Sequence, residues 1–142
     1  MVLGCLGYGI AMPGWTFRGV IFDAHTLLFA SLAILCGYQS VTFAVFTKTF
    51  AISEGLMPAE PATTRVMRWI SLERGLLTSL VTLCGGIVLL LAAINEWRLH
   101  NFGPLDYAHT MRLMIPGATL TAFGFQTMLS SFFLSILRMH RR

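Results

Sequence analysis

The sequence is poor in charged residues. Asp, Glu, Lys and Arg together make up 11% of its 142 residues, whereas about a quarter of a typical soluble protein is charged. Hydrophobic residues make up 56% and the mean hydropathy is +0.72. A soluble domain of this length cannot bury so much apolar surface. We therefore expect lipid, rather than water, to surround most of the chain.

Recognisable catalytic machinery is also missing from the sequence. The two aspartates, Asp23 and Asp106, are far apart, so they form no acidic cluster for a metal-bound nucleotide sugar. No glycine-rich phosphate loop follows a strand pattern. Cys5, Cys36 and Cys84 lack the spacing of metal ligands, and each is expected to be a small buried hydrophobe. We expect no catalytic residue, metal site or cofactor in this chain.

The net charge of +4 is spread between apolar runs and does not form one patch. A nucleic-acid-binding surface needs clustered basic residues in polar surroundings, so no nucleic-acid partner is expected. Lys and Arg that separate apolar segments are typical of the residues flanking membrane spans. Membrane lipid is the partner that this pattern predicts.

The apolar runs predict an all-α, polytopic bundle of about four membrane helices. They lie near residues 1–15, 24–50, 71–95 and 110–138. Since a span needs about 20 apolar residues, the first run, which closes at Pro13, is too short and is expected to be the second half of a longer helix. Pro116 is expected either to kink the fourth helix or to start its buried part. The whole chain is predicted to be one membrane domain.

Two similar groups, each with an aspartate, a histidine and a threonine, precede the second and fourth predicted spans. They consist of Asp23, His25 and Thr26, and of Asp106, His109 and Thr110. Two histidines and two carboxylates are a permissible zinc set. Aspartate and threonine before a helix are also typical N-terminal caps, and capping is the interpretation we prefer.

Basic residues predict the orientation in the membrane. One face is expected to hold Lys48, Arg65, Arg68, Arg74, Arg138, Arg141 and Arg142, and the other Arg18, Arg98 and Arg112. The positive-inside rule then places the linker 51–70 and both termini in the cytoplasm. An interfacial helix is expected in the linker, with its arginines reaching the headgroups.

Four of these basic residues are candidate contacts for a lipid phosphate or headgroup. They are Lys48, Arg65, Arg68 and Arg74. Ionisable residues at a membrane surface are functional candidates. The alternative is that they form local ion pairs, for example around Glu73.

Two amides interrupt the apolar runs, and both follow a glycine and an aromatic residue. Gln39 ends "GYQ" and Gln126 ends "GFQ". A buried amide without a hydrogen bond costs several kcal/mol, so we expect both glutamines to face protein and to join helices. The alternative is that they line a polar path.

These matches extend to a possible duplication of one helical hairpin. Phe46 matches Phe133, and "MVLGCLG" at Met1–Gly7 loosely matches "LVTLCGG" at Leu80–Gly86. In each half the chain would cross the membrane outward and then return, in the same direction in both halves, so the repeat would be parallel.

Several motifs resemble a known family. "DAHTLL", "SLERG", "FGPLD" and "FQTMLSSFFLS" together resemble the C-terminal membrane region of bacterial and archaeal family 2 glycosyltransferases of the dolichol-phosphate mannose synthase-like kind, over about Phe22–Leu137. The resemblance implies a membrane anchor for an enzyme that transfers a sugar from a nucleotide donor to a polyprenyl phosphate at the cytoplasmic face. It also implies a catalytic domain, upstream in the same protein or on a separate chain. The sequence is therefore expected to be a fragment, and none of the family's donor-binding residues are assigned to positions in it.

Another class of function fits the same features. A stand-alone, non-enzymatic small membrane protein, either an accessory subunit or a flippase-like carrier of lipid-linked sugars, would have about this length and number of spans. Homo-oligomerisation is open under both interpretations.

Overall fold

The computed structural model describes residues 1–12, 16–17, 20–21, 24–58, 72–104 and 107–139. Within them lie the helices α1 (Val2–Ala11), α2 (Ala24–Ser53), α3 (Leu72–Leu99) and α4 (Tyr107–Met139). Two-residue strands, β1 (Thr16–Phe17) and β2 (Val20–Ile21), pair antiparallel between α1 and α2. Helices make up nearly all of the described residues, which confirms the predicted all-α class. The interfacial helix predicted around Arg65 and Arg68 lies outside the described residues.

Three helices are long and apolar enough to cross a membrane. α2, α3 and α4 contain 30, 28 and 33 residues, and about 20 suffice to span the hydrocarbon core. Only 17% of the most apolar window of each helix is buried, so most of their apolar side chains lie on the outer surface of the bundle. This distribution is stable in lipid and unfavourable in water. The predicted integral membrane protein is therefore confirmed.

The cysteines differ from their predicted positions. Cys5, Cys36 and Cys84 are free thiols on the exposed surface of the bundle rather than buried between helices. The expectation assumed that small apolar residues turn inward, as they do in water. In a membrane, lipid is as apolar as a protein core, so a thiol gains little by facing another helix.

Helix ends follow local signals. α2 ends at Ser53, and Gly55 follows it with a φ of 72°. The N–H groups of Leu56 and Met57 both donate to the Ala51 carbonyl. A glycine in the left-handed region with bonds back to the last turn is the usual way to stop a helix.

The third and fourth helices are longer than predicted. α3 continues to Leu99, and the turn after it closes with a bond from the Phe102 N–H to the Trp97 carbonyl and with an edge-on contact of the two rings at 5.0 Å. α4 already begins at Tyr107, and Pro116 lies inside it without ending it. The connecting loop is therefore shorter than the sequence indicates.

The helices form two antiparallel hairpins, α1 with α2 and α3 with α4, which meet where α2 packs on α4. Because Tyr38 contacts Phe123 and Phe46 contacts Phe133, with ring centroids 4.4 and 4.7 Å apart, α2 and α4 run parallel. Tyr8 joins three helices, since its hydroxyl lies 2.9 Å from the Ser31 hydroxyl and 3.2 Å from the Thr119 hydroxyl. Residue Phe46 and its predicted repeat partner are thus in direct contact.

The two hairpins share one packing register. A Cβ built on Gly4 of α1 would lie 2.7 Å from the Ala30 carbonyl oxygen and 2.9 Å from the backbone nitrogen four residues further along α2. A Cβ on Gly86 of α3 would lie 2.8 Å from the Gly117 carbonyl oxygen and 2.5 Å from the nitrogen four residues further along α4. In both hairpins, therefore, a glycine lies against a carbonyl oxygen and the backbone nitrogen four residues after it, at equivalent positions.

A second contact gives the same register. A Cβ on Gly37 would meet first the backbone nitrogen of Met1, and a Cβ on Gly124 would meet first that of Leu83, at 2.6 Å. Residue numbers thus differ by 82 between α1 and α3, and by 87 between α2 and α4. The parallel repeat has a structural basis, but the expected match of Met1–Gly7 with Leu80–Gly86 is displaced by three residues, because it aligned cysteines that face away from the contact.

Candidate functional site

Two basic side chains, one from α2 and one from α3, lie at the same end of the bundle. Because α2 and α4 are parallel and α3 runs antiparallel, the end of α2 and the start of α3 lie at the same end of the bundle, on either side of α4. Lys48 of α2 and Arg74 of α3 are both exposed at this end, which we call the basic end. Arg98 and Arg112 lie at the opposite end, as the charge pattern predicted.

A groove of about 340 Å³ opens between α2, α3 and α4 at the basic end. Its hydroxyls come from Tyr38, Thr42, Thr78, Thr127, Ser130 and Ser131. Two valines of α2, with Phe46 and Leu134, form its apolar part, and Arg74 is the charged residue among those that line it. We call it the hydroxyl groove. It combines an apolar wall with one cation, which is the pattern of a site for an amphipathic anion.

Four of the six hydroxyls in this groove donate their protons within the protein. Tyr38 donates to the Thr127 hydroxyl at 2.9 Å, and Thr127 donates to the carbonyl four residues before it at 2.7 Å. Ser131 and Thr78 each donate to the carbonyl four residues earlier, at 2.8 Å. Such bonds satisfy hydroxyls inside a membrane helix. A bound anion would therefore depend on the guanidinium of Arg74 for its main attraction.

A second groove, of about 440 Å³, lies at the same end and is almost wholly apolar. It is lined by Phe43, Phe46, Thr47, Phe50, Phe133 and Leu137. In the repeat register its Phe43 and Thr47 correspond to Ser130 and Leu134 of the hydroxyl groove. At these two equivalent positions α2 has a phenyl ring and a hydroxyl where α4 has a hydroxyl and a leucine side chain.

The two predicted glutamines do not meet. Gln39 is exposed, whereas the Oε1 atom of Gln126 is buried and has no hydrogen-bond partner among the described residues. Tyr38 makes the polar contact between α2 and α4 instead. The expected role of Gln39 in joining the helices of this chain is therefore not realised.

The structure describes only some of the other predicted site residues. Thr26 is the third residue of α2, and Thr110 is buried in the first turn of α4 rather than at its start. Asp23 and Asp106 lie outside the described residues, so capping by them stays a prediction. Of the four candidate phosphate contacts, the structure brings Arg74 into the hydroxyl groove and places Lys48 at the same end. Arg65 and Arg68 lie outside the described residues.

A contact between a histidine and a glutamate links α3 and α4 at the opposite end of the bundle. His109 Nε2 lies 3.1 Å from Glu96 Oε1, and the two side chains are 62% and 29% exposed. Glu96 Oε2 and Arg112 Nε are buried without a hydrogen-bond partner in the described part of the chain. Arg74 and Glu96 are separated by most of α3, about 33 Å at 1.5 Å per residue, so this pair is not part of the groove.

Comparison with known proteins identifies the family. A family model, the glycosyltransferase family 2 C-terminal transmembrane region, matches residues 45–138. The chain belongs to this family. The match covers the end of α2 and nearly all of the α3–α4 hairpin, including every residue that α3 and α4 contribute to the hydroxyl groove. No curated protein and no solved structure matches the chain.

As the membrane region of a family 2 glycosyltransferase, the chain anchors the enzyme, and its partners are membrane lipid and a catalytic domain. The sequence motifs pointed to this family but missed the hydroxyls of the groove. A signal was available, because Thr127, Ser130 and Ser131 recur at the spacing of one helix face within an apolar run. The sequence alone does not indicate that Thr78 of α3 and Tyr38 of α2 face the same groove.

Proposed function

We propose that this membrane region holds a polyprenyl phosphate for the enzyme's catalytic domain, with the lipid phosphate at Arg74. The catalytic domain, upstream in the same protein or on a separate chain, would transfer a sugar from a nucleotide donor to the phosphate oxygen of this lipid, and the donor's nucleotide would leave. The hydroxyl groove is the observation that carries the proposal.

The chemistry of the groove fits such a lipid. Guanidinium and phosphate form charge-assisted, often bidentate hydrogen bonds, and Arg74 is exposed near the start of α3, at the expected level of the headgroups. The valines, Phe46 and Leu134 offer an apolar surface below it for the first part of the prenyl chain. Lys48 lies at the same end and adds positive potential.

The orientation follows from the same charges. We propose that the basic end and both termini lie on the cytoplasmic side of a prokaryotic inner membrane, where the positive-inside rule places most Lys and Arg. Nucleotide sugars are cytoplasmic substrates, so this orientation would present the phosphate to the catalytic domain.

Binding of polyprenyl phosphate to the purified chain in lipid nanodiscs tests the proposal. Arg74→Gln should weaken binding about tenfold or more, since a hydrogen bond to a charged group contributes about 1.5–3 kcal/mol. Thr78→Phe should also weaken it, because Thr78 is exposed and a larger side chain would fill the groove. The corresponding polyprenol, which has no phosphate, should bind weakly and be insensitive to Arg74→Gln.

Arg98→Gln is the matched control, since Arg98 is an exposed arginine of the same helix at the opposite end. It should leave binding unchanged. Equal losses in the two arginine variants would indicate a general effect of charge and contradict the proposal. Each variant must first unfold at the same temperature as the native chain.

A further inference from the structure

Gln39 is a polar residue whose position the packing of the bundle does not explain. It lies near the middle of α2, is exposed, and makes no hydrogen bond among the described residues. The next residue, Ser40, satisfies its hydroxyl on the Cys36 carbonyl at 2.9 Å. Lipid tails offer an amide no hydrogen bond, and an amide without a partner in hydrocarbon is strongly disfavoured. The amide of Gln39 therefore needs a partner from outside the described part of the chain.

The second amide of the bundle does not supply this partner. The contact of Phe46 with Phe133 joins residue numbers of α2 and α4 that differ by 87, so Gln126 lies at the depth of Gln39. The structure describes both glutamines and shows no hydrogen bond between them. The Oε1 atom of Gln126 is buried and is therefore closed to an outside donor, whereas Gln39 is open to another molecule.

Gln39 lies in the middle of a strip of large apolar side chains on α2. Leu28 and Phe50 lie 11 residues before and after it, and an 11-residue interval is close to three helical turns, so the three share one side of the helix. The exposed members of this strip are Leu28, Leu32, Gln39, Phe43 and Phe50, at alternating intervals of four and seven residues. We call it the amide strip. Membrane helices pack along strips of this kind.

Apolar grooves lie along the amide strip on both sides of Gln39. The groove of about 440 Å³ at the basic end is lined in part by Phe43 and Phe50. Toward the opposite end, a groove of about 390 Å³, mostly between α2 and α4, is lined in part by Leu28 and Leu32. Recesses and large exposed side chains thus occur at the same depths. A surface that carries both can be complementary to a second copy of itself.

A second copy satisfies the amide without a further condition. Two copies of one chain carry the same charges and so insert with the same orientation. A twofold axis along the membrane normal then brings a residue near the axis to its own equivalent, at the same depth. A primary amide has two N–H donors and a carbonyl acceptor, so each of two Gln39 side chains can donate one hydrogen bond and accept one. An unrelated helix would need a polar group of its own at this depth.

We propose that two copies of the chain associate in parallel through the amide strip, with the two Gln39 amides hydrogen-bonded to each other. Phe43 of each copy packs into the apolar groove at the basic end of the other. Val41, which lines the hydroxyl groove, is two residues from Gln39 and so lies about 200° around α2. The hydroxyl groove therefore stays open in the dimer, and the inference does not depend on lipid-phosphate binding.

Cysteine cross-linking of the full chain in membranes tests the geometry. Cys5, Cys36 and Cys84 are replaced by serine, and a single cysteine is introduced by Phe43→Cys or by Val41→Cys. Both positions are exposed on α2, at 69% and 55%, but only Phe43 belongs to the amide strip. On oxidation Phe43→Cys should give a disulfide between two chains, and the matched control Val41→Cys should give little. Equal yields at the two positions would overturn the proposal.

Energy transfer between labelled chains in lipid vesicles tests the amide. Gln39→Leu should raise the dissociation constant of the dimer about three- to tenfold, because two hydrogen bonds between membrane helices are lost. Gln39→Asn keeps a donor and an acceptor and should retain most of the association. Ser40→Ala, at an exposed polar residue whose hydroxyl is already satisfied, should change nothing. An unchanged constant for Gln39→Leu, or no energy transfer between native chains, would contradict the proposal. Cross-linking of Phe43→Cys to a different protein alone would assign the strip to another partner and overturn it too.

Discussion

Gly86 lies at a close approach of the α3 and α4 backbones, and replacing this glycine by alanine is the sharpest test of the fold. A Cβ at Gly86 would lie 2.5 Å from both the backbone nitrogen and the hydroxyl of Thr121. The neighbouring Gly85 has open space where its Cβ would be. The two glycines are adjacent in one helix. The same substitution therefore places a methyl group against α4 at Gly86 and in open space at Gly85.

The magnitude follows from that difference. Carbon needs about 3.5 Å or more from its neighbours, so Gly86→Ala forces the two helix backbones apart by roughly 1 Å. Overpacking of this kind costs about 1–3 kcal/mol. Alanine also favours the helix by about 1 kcal/mol over glycine, and this gain is common to both positions. We therefore expect Gly85→Ala to keep or raise the free energy of unfolding, and Gly86→Ala to lie about 1–3 kcal/mol below it.

Reversible unfolding in mixed micelles, followed by circular dichroism, measures this difference directly. The helix propensity cancels in the comparison, which leaves the contact with α4 as the remaining term. Equal effects of the two substitutions would refute the close α3–α4 approach, and with it the register from which the repeat is read.

Two further expectations concern polar groups between helices. Gln126→Leu should leave the free energy of unfolding unchanged or raise it, because the buried Oε1 has no partner among the described residues and leucine needs none. A loss above about 1 kcal/mol in the same micelle assay would show that the amide is paired. Tyr8→Phe removes a hydroxyl that contacts both Ser31 and Thr119. It should cost about 0.6 kcal/mol, the average measured for hydrogen bonds between membrane helices, and at most about 1.7 kcal/mol. An unchanged unfolding curve for Tyr8→Phe would mean that this hydroxyl does not hold α1 to the bundle.

The prediction for Gln126 reverses what the sequence indicated. An amide within an apolar run predicts a helix-joining hydrogen bond, because the alternative is costly. Which neighbour carries that bond depends on the rotation of each helix, and a shift of one residue moves a side chain by about 100°. Tyr38, one residue before Gln39, makes the hydrogen bond to α4. Sequence reasoning therefore found the right part of α2 and chose the wrong residue.

The membrane spans and their order were predictable because one energy dominates them, the gain from placing apolar residues in lipid rather than in water. Apolar runs of about 20 residues, interrupted by Lys and Arg, leave the chain few alternatives to membrane helices. The same reasoning placed Lys48 and Arg74 together at one end. Helix ends were less certain, since the extension of α3 to Leu99 depends on the turn that Phe102 closes with Trp97.

Family, class and sidedness of charge are thus properties of the sequence alone, because hydropathy and motifs are local along the chain. The hydroxyl groove and the register of the repeat arise only in the tertiary structure. They depend on where Gly4, Gly37, Gly86 and Gly124 let two backbones touch, and such contacts join residues that are distant in sequence. Lipid exerts no strong inward force on apolar side chains, so these few close approaches, rather than hydrophobicity, decide which helix faces meet.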